Sequence, residues 1–269
     1  MSEKKVPLTP EERAAAAAEL RVCLEKAAEE YGIALTEVQL EQFTRYFSLL
    51  IEWNEKMNLT ALTGPQEVAV KHFIDSLTAY DAALFPQGAS IIDVGTGAGF
   101  PGLPLKILRP DLRLTLLDSL NKRVKFLETV VAELGLQGVT CLHGRAEETA
   151  RRKQHREKYD LATSRAVARL SVLAEYTLPF VKKGGSLLAL KGAKYQEEAE
   201  EGARALKILG GGEAELREVQ LPGLDDKRAI VRVEKKGKTP PAYPRKAGTP
   251  EKNPLGCGEK KDFAPSKSK

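Results

Sequence analysis

The stretch that most limits what this chain can fold into is Ile91-Ile92-Asp93-Val94-Gly95-Thr96-Gly97-Ala98-Gly99-Phe100-Pro101-Gly102. An apolar run passes into a turn dense in glycine and then into a helical pattern, which reads as a buried strand folding sharply back into a helix. Glycine reaches left-handed backbone angles and carries no Cβ, so glycines at 95, 97 and 99 let bare main chain approach a nucleoside lying over the turn. A tight strand-to-helix turn with no ligand is the plainer alternative, and the density of glycine argues against it.

From Ser90 onward, short β-rich runs alternate with helical segments, the pattern of a largely parallel sheet with crossover helices. The sequence predicts six or seven strands: Ser90 to Val94, Arg113 to Leu117, Gly138 to Leu142, Tyr159 to Thr163, Ser186 to Leu190, Glu213 to Gln220 and Arg228 to Glu234. Helices are expected near Gly102 to Leu108, Asn121 to Leu134, Ala146 to Gln154, Ala168 to Pro179 and Tyr195 to Leu209. The last two strands are joined only by Leu221 to Asp226, too short for a parallel crossover, so they must pair antiparallel. A dinucleotide fold places a further parallel strand there, whereas a closing hairpin is typical of the methyltransferase version of the doubly wound sheet.

Ahead of the sheet, Thr9-Pro10-Glu11-Glu12 and Thr36 to Gln39 each form a capping box, and the first also has proline at the first helical position. The first helix should end near Tyr31-Gly32; the second carries Leu40, Phe43, Phe47 and Leu50 as one apolar stripe for packing. The expected organisation is an N-terminal helical segment at 1–87, an α/β core at 88–236 and a basic, proline-rich C-terminal arm at 237–269.

The acid at Asp93 and the Gly95-x-Gly97-x-Gly99 spacing favour S-adenosylmethionine over a dinucleotide, although Gly97-x-Gly99-x-x-Gly102 also satisfies the pyrophosphate pattern. S-adenosylmethionine has no phosphate, and its amino-acid and sulfonium charges suit backbone groups mixed with nearby acids. Asp118, ending the second strand, is placed to accept from both ribose hydroxyls, with helix capping as its alternative use. Arg145-Ala146-Glu147 follows the third strand, where such folds frame adenine. At the end of the fourth, Thr163-Ser164-Arg165-Ala166 lacks the Asn/Asp-Pro-Pro-aromatic signature of exocyclic amine methylation, and no cysteine lies nearby in sequence for cytosine C5 chemistry. A ring nitrogen such as guanine N7 owns an in-plane lone pair and needs neither base nor covalent intermediate, so positioning dominates. Arg165 is the candidate for substrate positioning, or else a structural ion-pair partner.

Composition excludes more than it selects. Hydrophobic residues at 42% and charged residues at 29% are ordinary for a globular protein. Cys23, Cys141 and Cys257 are odd in number and far apart, and His72, His143 and His155 lack ligand spacing, so neither a metal nor a disulfide framework is expected. The charged start MSEKKVPLTPEER leads to no apolar segment, and a cytoplasmic protein without a membrane span is expected. The net charge of +5 sits entirely in the arm, leaving the body with as many acids as bases.

Together the motifs resemble the ribosomal RNA small subunit methyltransferase G family, also called glucose-inhibited division protein B. The resemblance rests on Asn58-Leu59-Thr60, His72 through Leu77, Asp93 through Pro104, Leu117-Asp118-Ser119 with Lys122-Arg123, and Gly144 through Glu147. It continues through Ser164 through Ala168, Gly184-Gly185, Ala189 through Gly192 and Tyr243 through Gly248. It implies a class I, Rossmann-like methyltransferase fold. The implied reaction is transfer of a methyl group from S-adenosylmethionine to N7 of one guanine, position 527, in 16S ribosomal RNA. It assigns cofactor contacts to Gly95, Phe100, Asp118, Ser119, Leu120, Ala146, Glu147 and Arg165, beside Gly97 and Gly99 from the turn itself. Lys122, Arg123, Arg165, Lys191, Arg245 and Lys246 are expected to touch RNA phosphates of the small subunit or an assembly intermediate, with the protein acting as a monomer. His72 and Asp75 either shape the substrate side or simply pack. Two rivals stay open: a nicotinamide-dependent oxidoreductase, and a noncatalytic RNA-binding or assembly protein.

Overall fold

In the computed structural model, which describes residues 8–256, the helical start follows the caps. Helix α1, Pro10–Tyr31, has both halves of the Thr9/Glu12 box formed and stops at Gly32 with φ of 82°. Helix α2, Glu37–Met57, repeats this with Thr36 and Gln39, and ends on Asn58 in the left-handed region. A helical stretch follows that the sequence reading did not anticipate: α3 (Pro65–Val68), a π-helical turn (Ala69–Ile74) and α4 (Asp75–Leu77).

The core elements are β1 (Ser90–Val94), α5 (Gly102–Leu108), β2 (Arg113–Asp118), α6 (Asn121–Glu133), β3 (Val139–His143), α7 (Ala146–Thr149) and β4 (Tyr159–Arg165), followed by α8 (Leu170–Thr177), β5 (Val181–Lys191), α9 (Tyr195–Ile208), β6 (Gly211–Val219) and β7 (Arg228–Lys235). The sheet order is β3-β2-β1-β4-β5-β7-β6. Strands β1 to β5 are parallel, and β7 enters antiparallel between β5 and β6. The order reverses between β1 and β4, and the crevice outside the carboxyl ends of those two strands is where such sheets bind ligands.

Alternation along β1 explains the layers. Ile91 faces a core shared with α1, α2, α5 and α6, and Ile92 and Val94 face one shared with α8 and α9. Because Leu20, Phe43 and Phe47 lie in the same apolar cluster as Leu114 and Phe126, the N-terminal helices and the sheet are one packed body.

Two expected elements differ. The helix foreseen over Ala146 to Gln154 stops at Thr149, and the chain then runs through turns in which Arg151 and Arg156 donate to carbonyls of the arm. Strand β5 begins at Val181, earlier than expected, because its first residues pair with β4 across a register shift that the glycines at 184 and 185 allow. The arm is ordered as far as it is described, including α10 (Thr249–Lys252) and buried Pro250 and Leu255; residues 1–7 and 257–269, with Cys257, lie outside the described residues.

Candidate active site

Strand β1 delivers Asp93, wholly buried, to the glycine turn. Its Oδ2 accepts from the Thr96 hydroxyl at 2.6 Å and from the Gly102 N–H at 2.9 Å, tying the strand end to the start of α5, while Oδ1 has no partner. Burial pushes this carboxyl up to about 6, against the two hydrogen bonds that favour its charged form. Gly97, at φ of 62°, has nothing within 4 Å of the place a Cβ would occupy, so its bare main chain faces an open cleft. Tyr46 of α2 holds the same turn from behind, its hydroxyl donating to the Ala98 carbonyl.

Asp118 ends β2 almost fully buried. It accepts from the Gly97 N–H at 3.0 Å, the Leu120 N–H at 2.8 Å and Arg123 at 3.4 Å. It therefore caps the approach to α6 and lines the cleft at once. Three of the roughly four lone-pair sites on its oxygens are engaged, which leaves one on Oδ1 for a ribose hydroxyl, and the 3.4 Å contact to Arg123 is the one a second hydroxyl would displace.

Three compartments open along the carboxyl ends of the strands. One of about 390 Å³ lies over the turn between Gly97, Phe100, Asp118, Thr60 and Arg165. A second, about 260 Å³, lies between Leu117, Ser119, Ala146, Glu147 and Tyr176. The third, about 580 Å³, lies on the far side beside Lys71, Asp75, Lys191 and Arg228. Val167 borders all three, and its neighbour Ala166 holds a left-handed φ of 55° that presents this loop to the clefts. Gly95 is the position that admits Val167: a Cβ there would stand 2.7 Å from the valine methyl.

The partition between the first and third compartments is polar. Arg165 donates to Asp75 at 2.9 Å and the Lys71 carbonyl at 3.0 Å, reaches His72 Nδ1 at 3.1 Å, and lies over the Phe100 ring at 4.8 Å. His72 stacks on the same ring, and its Nε2 meets the Thr60 hydroxyl at 2.8 Å. Nδ1 also lies 3.2 Å from the Lys71 carbonyl, so a donor and an acceptor meet at that nitrogen, and the Thr60 hydroxyl can donate to or accept from Nε2 in either tautomer. Burial, then the Arg165 charge, pushes His72 down to about 3, so it is neutral near pH 7. Asp75 is also bound by Arg228 at 3.1 Å.

The structure brings Gly95, Gly97, Phe100, Asp118, Ser119 and Arg165 around the 390 Å³ cleft, and Ala146 and Glu147 around its neighbour. Gly99 supports the turn from within, where a Cβ would meet Leu103 and Tyr46, and Leu120 is exposed beyond the cleft. Among the expected RNA contacts, Lys122 and Lys246 are exposed and Arg123 half-buried. Lys191 is largely buried, ion-paired to Glu198 at 2.7 Å, and Arg245 is paired to buried Glu175. Both cations are thus paired with carboxylates of the chain, and Lys191 also lines the 580 Å³ compartment. Sequence reasoning missed Arg228 and Tyr46. Tyrosine inside the apolar stripe of α2 was the available signal for the latter, because a buried hydroxyl needs a partner.

The profile of the rRNA small subunit methyltransferase G family matches residues 39–229. The chain belongs to that family. It is 56% identical over 227 residues to the Ribosomal RNA small subunit methyltransferase G of Exiguobacterium sibiricum, covering 84% of this chain and 95% of that protein. The same shares hold at 52% identity to its namesake in Lactococcus lactis subsp. cremoris strain MG1363. In fold alone it is similar to the crystal structure of a predicted O-methyltransferase from Agrobacterium tumefaciens, with a TM-score of 0.51 and 17% identity over 61% of this chain and 81% of that one. Membership in the methyltransferase G family decides between the two readings of the glycine turn, and the nicotinamide-dependent alternative falls. Among the described residues no group of three or more potential metal ligands occurs, and no helix is long and apolar enough to cross a membrane.

Proposed function

We propose that this chain transfers a methyl group from S-adenosylmethionine to N7 of a guanine in 16S ribosomal RNA, in the bacterial cytoplasm, with the small subunit or an assembly intermediate as substrate and the protein acting as a monomer. The observation that carries this reading is the meeting of two clefts at Arg165 and Val167, one floored by the glycine turn and Asp118, the other large enough for a flipped base.

The residues fit the donor. Open main chain at Gly97 and the carboxylate of Asp118 suit an uncharged nucleoside, and the buried, unpartnered Oδ1 of Asp93 adds an acceptor beneath the turn. When bound, S-adenosylmethionine supplies an electrophilic methyl group on a sulfonium. Gly95, Gly97, Phe100 and Asp118 hold its nucleoside and amino-acid parts, Ala146 and Glu147 its base.

No side chain has to take a proton from guanine N7, whose lone pair is free at neutral pH. This agrees with a partition in which both ring nitrogens of His72 are already engaged and its charged form is suppressed. The chain's contribution is then orientation and exclusion of water. Arg165, held by Asp75 and the Lys71 carbonyl, is a rigid cation at the boundary, where it orients the base edge or a phosphate.

The test is transfer of radiolabelled methyl to unmodified small subunits and to naked 16S RNA, followed by identification of the labelled nucleoside. Label in 7-methylguanosine is expected. Label in another nucleoside, or saturable donor binding with no transfer to either RNA, overturns the substrate assignment and favours the noncatalytic alternative in the latter case.

A further inference from the structure

The arm after β7 is fixed to the core by three groups of contacts. Arg156 donates to the carbonyls of Tyr243 at 2.9 Å, Thr239 at 2.9 Å and Pro240 at 3.2 Å. Arg245 grips Glu175 of α8, with Nη2 at 2.7 Å and Nε at 3.0 Å and 3.1 Å from its two oxygens, and adds its own N–H at 2.6 Å. The Gly248 N–H then donates to Oε1 of Glu147 at 2.9 Å. This last contact carries the chain across the mouth of the 260 Å³ compartment, where Gly248 and Glu251 become wall residues facing Leu117, Ala146 and Tyr176.

The chemistry of that compartment is specific. Its flanks are apolar or aromatic, from Val94, Leu117, Ala146, Val167 and Tyr176, and its charged lining residues are Glu147, Glu251 and a single cation, Arg145. The Tyr176 hydroxyl is pushed up to about 12 by burial first and by Glu147, Glu251 and Glu175 next, with Arg145 opposing them. A flat heterocycle carrying an amine suits such walls, with apolar faces to stack on and carboxylates to accept from the amine. Of the two carboxylates, Glu147 is held by the arm's main chain, whereas Glu251 has no hydrogen bond or ion pair among the described residues.

We propose that the C-terminal arm is the outer wall of the donor's adenine compartment and that Glu251 accepts a hydrogen bond from the exocyclic amine of the adenine. This rests on the methyl-donor reading above and adds a residue outside the matched family segment of 39–229. Glu147 then both frames the base and seats the arm. Donor binding and arm docking stabilise one another, and by linkage each must report the other to the same extent.

The experiment uses the full chain and S-adenosylhomocysteine, the stable demethylated product, beside its N6,N6-dimethyladenine analogue, both measured by calorimetric titration. The native protein is expected to bind the unsubstituted compound at least about tenfold more tightly, the size of one charge-assisted hydrogen bond. Glu251→Ala is expected to lose about tenfold for the unsubstituted compound and to erase the preference, with Glu251→Gln intermediate because its amide oxygen still accepts. Since Glu251 is exposed, these variants should keep the native unfolding midpoint. Trypsin cleavage after Lys246 and Lys252 should slow when the ligand is present. Unchanged affinity and preference in Glu251→Ala, or cleavage indifferent to ligand, overturns the proposal while leaving the donor assignment standing. Failure of the native protein to bind either compound overturns both.

Discussion

Replacing His72 with Gln should change how stability responds to acid, because two buried groups in the site titrate with opposite sign. The ordinary histidine value of 6.5 falls to about 3 in the folded chain. Below pH 6.5 the unfolded chain therefore binds a proton that the folded chain refuses, and stability is lost as pH falls, by about 1.4 kcal/mol per unit. Asp93 rises from 3.8 to about 6, so between those values the folded chain holds the extra proton and stability grows as pH falls. Between about pH 7.5 and about pH 5 the histidine term is a loss of about 2 kcal/mol and the aspartate term a gain of about 1.4 kcal/mol. The native protein should be nearly level across this interval as far as these two groups act. His72→Gln deletes only the first term, so its acid response should differ from native by about 2 kcal/mol, in the direction of greater relative stability in acid. Urea unfolding at the two pH values reads this as a difference of roughly 0.7 M in midpoint shift at a slope of about 3 kcal/mol per M. Equal acid responses of variant and native protein would refute the reasoning, because all other titrating groups cancel in that comparison.

Arg245→Ala should leave Glu175, fully buried, without a counter-charge and cost about 3–5 kcal/mol, a fall of roughly 6–20 °C in Tm by scanning calorimetry. A fall of less than a few degrees would mean the pair does not hold the arm. Gly97→Asn should fold, with native far-ultraviolet circular dichroism, since asparagine is among the side chains that best tolerate a φ of 62° and nothing lies within 4 Å of the added carbon. It should still bind S-adenosylmethionine more than about tenfold more weakly in calorimetry, because that carbon occupies the donor's space; native affinity would remove the turn from the binding site. In RNA titrations over a range of salt, Lys122→Ala should reduce the slope by about one, whereas Lys191→Ala should leave the slope alone and lower the melting temperature.

Much of the frame was legible because it is written in local rules. The boxes at Thr9 and Thr36 and the stop at Gly32 set α1 and α2, and the short link before Arg228 forced the final strands antiparallel. The glycine turn and Asp118 could be read as a site because a strand end followed by glycines leaves few other uses for those residues. What stayed hidden depends on distant partners. Nothing near Arg245 in the arm or Lys191 at the end of β5 announces that Glu175 and Glu198 pair with them. The expected helix through Gln154 failed similarly, its Arg151 and, just beyond its expected end, Arg156 being committed to arm carbonyls about ninety residues away. The cluster in which Arg165 joins His72 to Asp75 and Arg228 binds Asp75 needs the π-helical turn, α4, β4 and β7 to meet, and no spacing in sequence encodes that.

The lock between Glu175 and Arg245 also sets an order of events during synthesis. The two residues are separated by 70 positions, so at ordinary elongation rates of about 5–20 residues per second Glu175 waits several seconds for its counter-charge. Until then, closing α8 over β4 and β5 would strand a bare carboxylate in an apolar layer. That half of the molecule therefore lacks its ion pair until the arm emerges, and the nascent chain reaches its final packing only once the segment bearing Gly248 and Glu251 is there to be seated.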